Sequence, residues 1–275
     1  MRNLFLIALL HSTFFTLSAQ FTYSGVFVPA ETEFEYAQQV SWEALQQQHK
    51  DLDDKGFRLV DIETAKSGAR RYYWAIWKKE EVHSTLRQVE SWDSLVIMKR
   101  QMAADSFVMD EIEAYTYGDK EYFLVVWVPG KTEHKIRRLT SWEGLENDNE
   151  NLARRDLQLV DIEGFEGKDG TTNYLALYHW EGPEFKTYYY RTHDYDDFVT
   201  DKGYRQKSGY HLFDYERFEK RGQSFYVGLY REANSASRLE DHYSQEDFNK
   251  LMDSEKENNN IVLTDIDIYT KEEER

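Results

Sequence analysis

Residues Tyr23–Glu43 read YSGVFVPAETEFEYAQQVSWE, and one hundred residues later Phe123–Glu143 read FLVVWVPGKTEHKIRRLTSWE. The chain thus enters partway through a pattern that it later writes in full. A fixed period decides an architecture before any local feature does, so the rest of the pattern is traced first. SWEAL at Ser41, SWDSL at Ser91, SWEGL at Ser141, DYDDF at Asp194 and SQEDF at Ser244 each open a unit of about fifty residues. Some fifteen residues further on come GFRLVDIE, SFVMDEIE, DLQLVDIE, GYHLFDYE and NIVLTDID, with Phe57, Phe107, Leu157, Tyr210 and Ile261 in register. A third block follows in four units: YWAIW from Tyr73, FLVVW from Phe123, YLALY from Tyr174 and YVGLY from Tyr226.

The fifth unit lacks that third block, and YSGVF at Tyr23–Phe27 supplies its equivalent from the other end of the chain. A ring closed by its own terminal strand requires this displacement; an open solenoid does not. Phe21–Val28 is therefore expected to pair beside Ile261–Ile268. Within a unit, Ser41, Ser91 and Ser141 precede Trp and then Glu or Asp, an N-cap with an acid in the first helical turn. Trp42, Leu45, His49 and Leu52 then lie on one helical face, as do Trp92, Leu95, Met98 and Met102. Gly56 and Gly209 fit a left-handed helix terminator. The two β-rich blocks, separated by turn segments such as AKSGAR, read as a hairpin. Tyr36, Leu86, Ile136, Tyr189 and Leu239 mark a third, shorter strand. The expected fold is an α+β repeat protein of five β-α-β-β units, closed into an α/β-propeller-like ring over residues 20–275. A curled, incompletely closed ribbon of the same units is the competing arrangement.

The succession of an aromatic and Leu at the helix start, then GF-x-L-x-x-I or GY-x-L, then Y-x-A-x-W, resembles the bacterial tandem-repeat modules that precede the catalytic domain of polyglycine-hydrolase-like serine hydrolases. That resemblance spans nearly all of residues 20–275 and implies an accessory or substrate-facing module, with catalysis supplied by a β-lactamase-like domain bearing Ser-x-x-Lys. No Ser-x-x-Lys occurs in this sequence. In architecture alone, five β-α-β-β units are similar to the pentein fold of guanidine-modifying enzymes, which typically use a Cys nucleophile.

There is no cysteine, which excludes disulfides, thiolate metal sites and a Cys nucleophile together. Residues 1–19 combine Arg2, an apolar run from Leu4 to Leu10 and small residues at Ser18 and Ala19, and read as a secretory signal; export to periplasm or medium follows. Removing them takes away one arginine and no acid, leaving 33 basic against 51 acidic side chains. Such a surface repels nucleic-acid backbones and anionic lipid, and no segment approaches the length of a membrane span. Seven Trp, twenty Tyr and sixteen Phe are enough to build a substantial core.

Two repeated sets could carry function. In the first hairpin strand, Asp61 and Glu63 share a face by period-two alternation, and so do Glu111 with Glu113, Asp161 with Glu163, Asp214 with Glu216, and Asp265 with Asp267. The expectation is that these ten acids mark the solvated ends of their strands. If the strands instead converge on an axis, the acids would raise one another's pKa values or recruit Ca²⁺ or a cationic ligand. The second set alternates aromatic and small residues, with Phe27, Trp77, Trp127, Tyr178 and Tyr230 at its outer positions. It is expected to pack the core, the alternative being an aromatic-walled cleft. HDYDD at His193–Asp197 coincides with a helix start and reads as capping, not as a metal site. No zinc-protease, nucleophile-elbow or phosphate-loop pattern is present, and no residue qualifies as catalytic. The sequence therefore points to an exported binding or scaffolding module for a protein or a cell-envelope polymer, with a carboxylate-based hydrolase or a Cys-less pentein-like enzyme as the alternative.

Overall fold

The computed structural model describes residues 21–258 and 260–270; the secretory signal expected at residues 1–19 lies outside them. The described residues begin with β1 (Phe21–Pro29). Four units follow, each strand-helix-strand-strand. The first is β2 (Phe34–Gln39), α1 (Trp42–Asp53), β3 (Phe57–Ser67) and β4 (Arg70–Lys79). The second is β5 (Thr85–Glu90), α2 (Trp92–Ala104), β6 (Phe107–Tyr117) and β7 (Lys120–Pro129). The third is β8 (His134–Leu139), α3 (Trp142–Ala153), β9 (Leu157–Glu166) and β10 (Thr172–Trp180), and the fourth β11 (Thr187–Thr192), α4 (Tyr195–Lys207), β12 (Tyr210–Lys220) and β13 (Gln223–Glu232). The last unit has β14 (Arg238–Ser244), α5 (Gln245–Asn258) and β15 (Ile261–Thr270).

These strands form five separate three-stranded antiparallel sheets, each with the second hairpin strand in the middle: β2-β4-β3, β5-β7-β6, β8-β10-β9, β11-β13-β12 and β14-β1-β15. In the fifth, β1 occupies the middle place, paired with β15 from Phe21↔Thr270 to Pro29↔Ile261 and with β14 on its other edge. No sheet closes on itself among the described residues. The inner hairpin strands β3, β6, β9, β12 and β15 each lie against the next, and β15 lies against β3.

The helices start and stop as the sequence dictates. The hydroxyls of Ser41, Ser91 and Ser141 accept hydrogen bonds from the backbone N–H of Ala44, Ser94 and Gly144, and Asp194 accepts from Asp196 and Asp197, which confirms that HDYDD caps a helix. Gly56 and Gly209 adopt φ of 80° and 86° beyond the ends of α1 and α4. Ser106 and Asp156 take the same left-handed place after α2 and α3, a strain that glycine would avoid. His49 on the inner face of α1 is a satisfied core histidine: Trp77 Nε1 donates to its Nδ1, so Nε2 carries the proton and donates to the Ser84 carbonyl.

One irregularity organises all five units. In each inner strand the pairing slips by one residue at the same place, between Leu59 and Asp61, Met109 and Glu111, Leu159 and Asp161, Leu212 and Asp214, and Leu263 and Asp265. Strict alternation would put Leu59, Asp61 and Glu63 on one face. The extra residue of the bulge re-aims the strand: Leu59 joins Ile62 in the apolar core beneath α1, and the two acids face the other way. Met109 with Ile112, Leu159 with Ile162, Leu212 with Tyr215 and Leu263 with Ile266 repeat the arrangement in their own cores.

Each core also takes side chains from the neighbouring sheet. Leu124 and Val126 of β7 enter the first unit's core, Leu175 and Leu177 the second, Val227 and Leu229 the third, Val26 of β1 the fourth, and Trp74 and Ile76 of β4 the fifth. The middle strands are consequently apolar on both faces, which is why they read as near-continuous hydrophobic runs.

Candidate functional site

The aromatic set belongs wholly to these cores. Phe27, Trp77, Trp127, Tyr178 and Tyr230 are completely buried, so the aromatic positions line no cleft and act by packing.

The acidic set overturns the expectation of solvated strand ends. Because the bulge turns the acids away from the helices and the inner strands lie against one another, the carboxylates meet in two tiers. The first comprises Asp61, Glu111, Asp161, Asp214 and Asp265; the second comprises Glu63, Glu113, Glu163, Glu216 and Asp267. Asp61, Asp161 and every member of the second tier are buried, while Glu111, Asp214 and Asp265 are half-buried. Single carboxylate oxygens of Glu63, Glu113 and Glu163 lie within 4.8 Å of one another, as do those of Glu63, Glu216 and Asp267, and those of Glu111, Asp161 and Glu163.

Backbone amides of the neighbouring inner strand hold the first tier. Ile266 N–H donates to Asp61 Oδ2 at 2.8 Å, Ile112 N–H to Asp161 Oδ2 at 3.0 Å, and Tyr215 N–H to Asp265 Oδ2 at 3.1 Å. Each donor follows the first-tier acid of its own strand, so one tier knits adjacent sheets together. In the second tier Glu113 accepts from the Thr64 hydroxyl at 2.6 Å and from its own neighbour Ala114 N–H at 2.8 Å. Gly164 N–H donates to Glu216 at 3.2 Å, and Arg217 N–H to Asp267 Oδ1 at 3.4 Å.

These surroundings favour the neutral acid. Burial pushes the Asp61 carboxyl from 3.8 up to about 7, against the pull of the Ile266 and Ile62 amides. Burial likewise holds Glu63, Glu111, Asp161, Glu163, Glu216 and Asp265 well above the usual carboxylate range, reinforced by neighbouring carboxylates. Asp214 and Asp267 are raised for the same first reason, with Asp61 and Asp241 respectively adding to it.

A polar cavity opens on each side of the tiers. The larger, about 600 Å³, is floored by the second tier and walled by Lys66, Arg71, Thr116, Lys168 and Arg217. The smaller, about 430 Å³, lies over the first tier beside Arg58, Lys78, Asp110, His179 and Arg231. Glu63, Glu163 and Glu216 line both. Sequence reasoning missed this second group because it breaks the repeat. Asp110 sits at the bulge position that Val60, Val160, Phe213 and Thr264 occupy elsewhere, and pairs with Arg58 at 2.6 Å; His179 Nε2 donates to the Met109 carbonyl at 2.6 Å. The acid at position 110, directly before Glu111, where the other units have an apolar residue or Thr, was the available signal.

No family model matches this chain, and no curated protein matches it. Among the described residues no helix is long and apolar enough to cross a membrane.

Proposed function

We propose that the chain is an exported, non-catalytic binding module, a five-unit α/β-propeller closed by its own N-terminal strand, which takes a protein or cell-envelope polymer at the polar mouth of a cavity beside its acid tiers. Closure is supported by the place of β1 between β14 and β15 and by the contact of β15 with β3. Export rests on the signal-like residues 1–19, and an accessory role accords with the resemblance to repeat modules that precede a serine-hydrolase domain.

The observation that carries the binding role is the equivalence of the acids. Ten carboxylates recur at two positions in all five units. Catalysis needs a nucleophile, an acid and an oxyanion donor with different tasks in one place. The roughly 600 Å³ cavity, with its charged and hydroxyl-bearing walls, suits a polar polymer segment and offers an apolar ligand little.

Purified protein lacking residues 1–19 should co-sediment with insoluble cell-envelope polymer or retain a protein partner, and should turn over neither peptide, ester nor glycoside substrates. Turnover that is abolished by Asp161→Asn or Glu163→Gln at an unchanged melting temperature would replace this reading with a carboxylate-based hydrolase.

A further inference from the structure

None of the ten tier carboxylates forms an ion pair within 4.0 Å among the described residues. The nearby arginines stand beyond that distance from the tier carboxylates and make their side-chain contacts with other groups. Arg71 donates to the Thr64 hydroxyl at 2.7 Å and lies over the Tyr115 ring. Arg217 donates to Ser224 at 2.9 Å and stacks on Tyr269. A buried carboxylate without a counter-charge is costly, and the second tier gathers five of them. Asp267, only 2% exposed, lines the larger cavity, and its Oδ2 has no hydrogen-bond partner among the described residues although Oδ1 has one.

We propose that the second tier holds a calcium site built on Glu63, Glu216 and Asp267, the triad that contains the unpartnered Asp267 oxygen. Of the three triads of converging oxygens, two contain Glu63, and the one proposed here alone contains Asp267. The donor set selects the metal. Carboxylate oxygens alone, with no imidazole or thiolate in either tier, suit a hard cation. Calcium binds oxygen at about 2.3–2.6 Å, so ligands on opposite sides of one ion stand about 5 Å apart; the triad's oxygens, all within 4.8 Å of one another, fall inside that span. Magnesium, with shorter bonds, a strict octahedron and a tightly held water shell, fits a cage of converging side-chain carboxylates poorly. The ion would tie β3 to β12 and β15 at once, joining inner strands that belong to three different sheets. This site does not depend on which polymer docks at the mouth, and it can be tested with no polymer present.

Protein lacking residues 1–19, stripped with EDTA and dialysed, is titrated with Tb³⁺, whose emission Tyr115 in the cavity wall sensitises, and Ca²⁺ is then used to displace it. Emission should saturate at about one equivalent per chain, Ca²⁺ should compete where Mg²⁺ does not, and Ca²⁺ should raise the melting temperature. Glu63→Gln should weaken Ca²⁺ binding at least tenfold. In EDTA the same variant should melt at or above the unsubstituted protein, because one of the mutually repelling carboxylates has gone. Should Glu63→Gln not fold, Asp267→Asn serves instead, and Glu246→Gln on the exposed start of α5 is the surface control. Emission that never saturates, saturable binding that survives both tier substitutions, or a melt indifferent to Ca²⁺ would each overturn the site. The polymer sedimentation assay is scored separately, so loss of one reading leaves the other standing.

Discussion

In the first three units the helix brings Leu45, Leu95 and Leu145 into a shared core with Ala75, Val125 and Ala176. In the last two it brings Phe198 and Phe248 against Gly228 and Gly25. A Cβ added at Gly228 would stand 3.0 Å from Phe198 Cζ, and one at Gly25 would stand 3.3 Å from Phe248 Cζ. The two groups of units fill one space with different pairs, a medium helix residue over a small strand residue or a large one over none. Close-packed interiors tolerate such exchanges when volume is kept. The repeats have therefore diverged by coupled pairs, and a residue that looks unlike its counterparts is explained by its partner across the core.

The most drastic way to break the comparison is to remove one unit's middle strand outright. Deleting residues 20–28 strips β1 from between β14 and β15 and leaves both as bare edges over an opened core. Aggregation on size-exclusion chromatography and loss of a cooperative melt are expected; a monomeric variant as stable as its parent would show that the fifth sheet does not need β1. Next in size, Trp77→Ala in the first group and Phe27→Ala in the second should each cost about 3–5 kcal/mol in denaturant melts, because both side chains are fully buried and leave a cavity. A clearly smaller loss at Phe27 would mark the split unit as more loosely packed than the continuous ones.

The acid tiers are common to both groups, so their response to pH should belong to the whole molecule. Asp61 is raised from 3.8 to about 7 in the folded chain. The neutral form is thus the stabilising one: its contribution is complete below about pH 4 and is lost as the pH climbs through about 7. With EDTA present, the melting temperature should fall across that window, and a flat or rising profile would contradict the burial of the tier. The subtlest test addresses the packing pairs themselves. Gly228→Ala should destabilise by about 1–3 kcal/mol through overpacking, and adding Phe198→Leu, which recreates the pair found in the first and third units, should restore part of the loss, because the new Cβ also meets Leu212 Cδ1 at 2.7 Å and Tyr230 Oη at 2.9 Å. Independent, additive effects would refute the coupling.

Much of the fold was legible because the repeat made each feature visible several times over. The caps at Ser41, Ser91 and Ser141, the hairpins and the displaced strand YSGVF could all be read from spacing. The acid site was only half legible. Period-two alternation correctly placed Asp61 beside Glu63 on one face, but it also placed Leu59 there, and nothing in Leu59-Val60-Asp61 announces the bulge that separates them. Burial of the acids was hidden for a second reason: charge at a strand end ordinarily means solvent, and only the approach of β15 to β3, residues far apart in sequence, turns that face inward. Asp110, Arg58 and His179 escaped notice because a search for repetition discards whatever occurs once.

The place of β1 in the fifth sheet also sets an order of events. The strand leaves the ribosome more than two hundred residues ahead of its partners β14 and β15, and synthesis at about 5–20 residues per second separates them by tens of seconds. Through that interval four units can condense in succession, each on contacts close in sequence, while β1 waits with both edges unpaired. The final pairing closes a loop of more than two hundred residues, the kind of non-local contact that slows folding most. A strand apolar enough to sit at the centre of a sheet is then a hazard for its own chain, and its protection before the last unit arrives becomes a requirement of biogenesis.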